Sequence, residues 1–98
     1  MEGPSSIRRH PNRIRQFRME KGLTQRELAR ILGYKSVSSL SHLERGRKRP
    51  SLPTAMRLEI ALQKFIGDIF PRLYKSLRAP VARRRERLFK ERGEKSAW

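Results

Sequence analysis

The chain has 98 residues, enough for one small domain around a single core and too few for two. Lys and Arg number 25 against 9 Asp and Glu, and the self-repulsion of a net charge of +16 points to a polyanionic partner, nucleic acid or an anionic membrane surface. Without cysteine there is neither a disulfide framework nor a Cys-ligated zinc site, no apolar run is long enough to span a membrane, and MEGPSSIRRHPN lacks the apolar stretch of a secretory signal. These exclusions leave the expectation of a soluble, intracellular, cytoplasmic protein that binds nucleic acid.

Residues 1–11 carry Gly3, Pro4, Ser5, Ser6 and Pro11 without periodicity and read as a flexible arm. Residues 12–70 hold 13 basic and 5 acidic residues with apolar positions at helical spacing, and read as an all-α domain of five short helices. Asn12 is the expected cap of the first, with Ile14 and Phe17 on one face and Gly22 as its stop. Thr24 to Glu27 has the spacing of a capping box, in which the Thr hydroxyl and the Glu carboxylate each take one orphan backbone N–H. It opens a second helix with Leu28, Ile31 and Leu32 on one face, closed by Gly33. Ser36 is the expected cap of a third, with Val37, Leu40 and Leu43 on one side and Gly46 at its end. Pro50 and Pro53 bracket a loop before a fourth helix over Thr54 to Leu62, which presents Met56, Leu58, Ala61 and Leu62. A short fifth follows near Phe65 to Phe70. Residues 71–98 form a basic extension with 10 basic and 3 acidic residues, opened by Pro71 and interrupted by Pro80, with a helix expected over 81–92.

A tight Gly33 turn between two short helices, the second with a small polar outer face, describes a helix-turn-helix over about 24–44. GLTQRELARILG followed by SSLSHLERGRKRPSL resembles the DNA-binding domain of the lambda-repressor and Cro class, the XRE family. The resemblance covers roughly Ile14 to Phe70 and rests on the Gly-Leu-Thr-Gln start, the Gly turn, the Leu-Glu-Arg-Gly helix end and the Pro-Ser-Leu entry to the fourth helix. From Gly33 to Glu44 the chain is one residue longer than the usual family spacing, and the extra residue is expected in the turn at Tyr34-Lys35.

A recognition helix must be slim where it enters a major groove about 12 Å wide. Ser36, Ser38, Ser39 and Ser41 supply a slim face of hydroxyls, and His42 is long enough to meet a base or a phosphate. On their own, such serines are a solubilising face and a cap; within a helix-turn-helix frame, they are base readers. Val37 divides between contact with a thymine methyl and packing at the turn. Gln25 sits in the first helical turn, where free N–H groups and the dipole favour phosphate, and the resemblance implies a backbone contact. Arg45, Arg47, Lys48 and Arg49 lie where the family's loop follows the phosphates, with Lys35 and Arg13 as weaker candidates of the same kind. The resemblance also implies a structural ion pair between Arg18 and Glu44, fixing the angle between helices.

No arrangement of His10 and His42 with serines and a carboxylate makes a catalytic triad, and neither a phosphate-cradling Gly loop nor a metal cluster is present, so neither enzymatic activity nor a metal or cofactor is expected. The expected function is a sequence-specific transcriptional regulator bound to double-stranded DNA as a homodimer on a palindromic operator. Phe65, Ile66, Ile69, Phe70, Leu73, Leu77 and Leu88 are available between the core and a dimer interface. Rival readings are the antitoxin of a toxin–antitoxin pair and a charge-driven RNA or ribosome binder. For residues 71–98 a protein-docking helix, a basic arm on phosphates and a disordered end all compete; contact with a membrane is the weakest option.

Overall fold

A computed structural model describes residues 11–93, so nearly all of the expected arm, and residues 94–98, lie outside it. The architecture is all-α, with α1 (Ile14–Glu20), α2 (Gln25–Leu32), α3 (Ser38–Glu44), α4 (Leu52–Leu62), α5 (Ile66–Ile69) and α6 (Pro71–Glu91). The first five pack around a core of Ile14, Phe17, Leu28, Ala29, Leu32, Leu40, Leu43, Leu58, Leu62, Ile69 and Phe70.

Local chemistry sets most of the boundaries. The Asn12 carboxamide oxygen accepts the Ile14 N–H at 3.1 Å, although the residue immediately before α1 is Arg13, which makes no side-chain cap. Both halves of the Thr24–Glu27 capping box form, at 3.0 and 2.9 Å. Gly33 has φ +87°, a left-handed conformation that a Cβ would strain, and it lets Gly33 and Tyr34 donate to the Arg30 and Ala29 carbonyls that α2 leaves open. The chain can then turn at once into α3.

Several expectations need correction. Ser36 does not cap α3, which starts at Ser38 after Val37 and has no side-chain cap. The Pro50–Pro53 loop is shorter than expected, because α4 begins at Leu52 with Ser51 Oγ accepting the Thr54 N–H and Pro53 in the first turn. Proline is tolerated there because the N–H it lacks would have had no helical partner. Ile31 is 56% exposed and Ala29 takes its place in the core, so the buried arc of α2 is Leu28, Ala29 and Leu32. Met56 likewise points outward. Pro80 does not interrupt the extension, which is one helix from Pro71 to Glu91 rather than a helix over 81–92.

Bonds between helices orient the ends of the domain. Asn12 Nδ2 donates to the Leu43 carbonyl at the end of α3 (2.7 Å), and the Arg13 N–H donates to the Ile69 carbonyl (2.8 Å). Glu59 of α4 accepts the Ile66 N–H that opens α5 (2.8 Å). The start of α6 rests on α5, where the Tyr74 ring stands edge-on to Phe65 at 5.1 Å. A Cβ on Gly67 would lie 2.4 Å from Phe65 Cε2, so this contact requires glycine.

Candidate nucleic-acid interface

Arg18 of α1 is 9% exposed, and its Nε donates to Glu44 Oε2 at 2.7 Å, with Nη2 at 3.4 Å from Oε1. The other Glu44 oxygen also accepts Gln25 Nε2 at 3.0 Å, and Arg18 Nη1 donates to the Leu23 carbonyl at 2.8 Å. One carboxylate therefore ties α1, the first turn of α2 and the last turn of α3 together. Burial strengthens such a charge-assisted network because little water competes for its donors. Gln25, expected to face phosphate, has its amide nitrogen committed inside the protein. Nothing in the sequence spacing signals that bond, since 19 residues separate the partners.

On α3, Leu40 and Leu43 turn into the core, and this fixes the rest of the face. Ser38, His42 and Arg45 are exposed at i, i+4 and i+7 and share the outer face, while Ser39 and Ser41 flank it half-buried. Ser36 is exposed in the preceding turn. Val37 is half-buried against the core and also lines the cleft beside α3. After α3, Gly46 and Arg47 donate to the Leu43 and His42 carbonyls, folding the loop back and leaving Arg47, Lys48 and Arg49 exposed. Arg13 and Lys35 are exposed as well.

Two clefts border this surface. One of about 410 Å³ is lined by Arg26, Arg30, Tyr34, Lys35 and Ser36, the other of about 690 Å³ by Arg15, Arg18, Thr24, Gln25, Glu44 and Arg45. Arg26, Arg30 and Arg15 were absent from the expected set. The i, i+4 spacing of Arg26 and Arg30 is the signal that would have found that pair. Among the described residues no group of three or more His, Cys, Asp or Glu side chains assembles to hold a metal. A short helix with a slim exposed face, bordered by guanidinium and ammonium groups, is shaped to enter a groove between two rows of phosphates.

Comparison with known proteins agrees with this geometry. The helix-turn-helix family pattern matches residues 14–64. An uncharacterized HTH-type transcriptional regulator of Archaeoglobus fulgidus is 38% identical over 58 residues, 59% of this chain and 81% of that protein. Another, from Methanothermobacter thermautotrophicus, is 47% identical over 58 residues, 58% of this chain and 83% of that one. The solved structure of C.AhdI, a restriction-modification controller protein from Aeromonas hydrophila, matches with a TM-score of 0.54 at 34% identity, over 59% of this chain and 86% of that chain. With a family match over more than half its length, and with the Gly33 turn and the Arg18–Glu44 frame in position, this chain belongs to the helix-turn-helix family of DNA-binding domains, of the lambda-repressor and Cro (XRE) type.

Proposed function

We propose that the protein is a sequence-specific transcriptional regulator that binds double-stranded DNA as a dimer on a palindromic site. The observation that carries this reading is the outer face of α3, where Ser38, His42 and Arg45 are aligned and exposed while Leu40 and Leu43 anchor the helix from behind. In this reading Ser38, His42 and the flanking Ser39 and Ser41 meet base edges, with Ser36 at the groove entrance. Arg45, Arg47, Lys48, Arg49 and Lys35 hold phosphates. Gln25 positions Glu44 and offers the backbone through its helix end. The regulator acts in the cytoplasm without a cofactor or a catalytic step, by occluding or recruiting polymerase. The names of the two archaeal relatives and the role of C.AhdI as a controller protein support regulation as the purpose.

A dimer follows from information content. One short helix reads only a few base pairs, too few to single out one site among a genome's non-specific competitors. Ile69 and Phe70 are buried in the monomer core and Ile66 and Leu73 pack against it, so they leave the interface candidates. Phe65 stays about half-exposed, and Leu52, Met56 and Ile60 form an exposed stripe at i, i+4, i+8 of α4. The test is selection of bound duplexes from a random library at physiological salt, followed by sedimentation on the winner. Enrichment of two-fold-related half-sites about one helical turn apart, holding two chains, is expected. No enrichment at all overturns the sequence-specific reading; one chain per site at full affinity overturns the dimer.

A further inference from the structure

The longest helix contributes least to the core. α6 docks at its start through Leu73 and Tyr74 but buries no residue, and Leu77, Val81 and Leu88 are 60%, 56% and 49% exposed. It carries eight basic and two acidic residues between Pro71 and Glu91. At 3.6 residues per turn, Arg72, Lys75, Arg83, Arg87 and Lys90 fall within about a third of the circumference, with Glu86 as the one acid in that arc, opposite Leu73, Leu77, Val81 and Leu88. All five are exposed.

We propose that α6 is a second nucleic-acid-binding element, whose basic face lies along the phosphate backbone of duplex DNA beside the site that α3 reads. Three observations favour that occupant. First, the helix starts near the end of α3: Asn12 bonds the Leu43 carbonyl in its last turn, and the adjacent Arg13 bonds the carbonyl of Ile69, two residues before α6. Second, its length fits: 21 residues at 1.5 Å make about 31 Å, roughly nine base-pair steps along the duplex axis. Third, the apolar stripe is unsuited to burial. Arg84, seven residues after Leu77 and four before Leu88, sets a guanidinium inside it. Burying that charge in a bilayer or against a second copy is costly, and two such helices repel each other. With the opposite face on a phosphate row, Arg84 stays in water and the five basic residues are neutralised. Phe89 does not extend the stripe, because Arg85 and Arg92 stand over its ring at 4.5 and 5.3 Å.

The proposal rests on the DNA-binding reading only for the choice of a duplex. Its test compares the full-length chain with a variant carrying Arg72→Gln, Lys75→Gln, Arg83→Gln, Arg87→Gln and Lys90→Gln. A second variant carries lysine at Arg72, Arg83 and Arg87. Affinity for a 30-base-pair random duplex and for the selected site is measured against salt, with helicity checked by circular dichroism. The glutamine variant should lose about 3 units of the log–log salt slope, as expected for three to four phosphates released at about 0.9 each. It should keep its helicity and its ranking of sequences, and the lysine variant should keep the original slope. An unchanged slope in a folded glutamine variant overturns the proposal. Loss of binding to anionic vesicles or of self-association at unchanged slope overturns it too, and assigns the helix to those partners. A wild-type chain that ranks no sequence above another overturns the regulator reading alone, because the slope difference on random duplex is read independently of it.

Discussion

Glu44 accepts hydrogen bonds from Arg18 and Gln25 while almost wholly buried, so its three-residue network concentrates the cost of change. Arg18→Ala leaves that carboxylate without its cation and should destabilise the fold by about 3–5 kcal/mol. Gln25→Ala removes one neutral donor and should cost about 1 kcal/mol. Urea unfolding of the two variants checks the order, and equal losses would show that the ion pair is not the centre of the network. Gln63 offers the opposite opportunity. It ends α4 at φ 54°, where a side chain is strained and glycine is not. Gln63→Gly should raise stability by about 0.5–1 kcal/mol in thermal unfolding, despite losing the exposed bond from Lys21 Nζ at 2.8 Å.

Among the elements, α3 and the loop after it should separate specificity from grip. Ser38→Ala should change discrimination among duplexes, base-edge contacts being worth about 1–3 kcal/mol, and leave the melting temperature unchanged because the side chain is exposed. Arg47→Ala with Lys48→Ala should instead weaken every duplex alike and flatten the salt dependence by about 0.9 per lost contact. Binding titrations on matched and mismatched duplexes distinguish the two outcomes. α6 gives a third case. Pro80 lacks the N–H that would meet the Ser76 carbonyl, so Pro80→Ala should slow amide hydrogen exchange across residues 76–84, consistent with a helix-propensity gap of about 3 kcal/mol. The elements legible in sequence were those with their own punctuation: the Thr24–Glu27 box, the glycine stops and the spacing of Leu28 with Leu32 and of Leu40 with Leu43. Errors arose where the neighbour decides. Ile31 and Ala29 lie on the two edges of one apolar arc, and only tertiary packing selects which edge is covered. Pro53 and Pro80 both carry the sequence signature of a break. Pro53 suits a first turn, and Pro80 sits among Ala79, Ala82 and three arginines, helix formers that outweigh one missing bond in a solvated helix.

At the scale of the described residues, α1 to α5 form the packed body, and the longest dimension is 53 Å against 35 and 21 Å for the others. The sequence showed the division of charge between residues 12–70 and 71–98, but not that Pro71 to Glu91 form a single rod. No local pattern shows that Gln25 would bond Glu44, or that Asn12 would hold the end of α3. Those bonds cross the core, and the chain reaches them only once it is packed. Seated on α5 through the Phe65–Tyr74 edge contact, with Gly67 beneath, α6 behaves as a lever about 31 Å long whose pivot is a pair of rings. Tilting it by about 10° at the base sweeps its far end through about 5 Å, more than one base-pair step along the duplex axis. Which part of a duplex the distal arginines reach is thus set by a residue that carries no charge. Gly67→Ala should shift or blur the flanking hydroxyl-radical footprint while leaving the bases under α3 protected as before, so that aim and recognition can be changed separately.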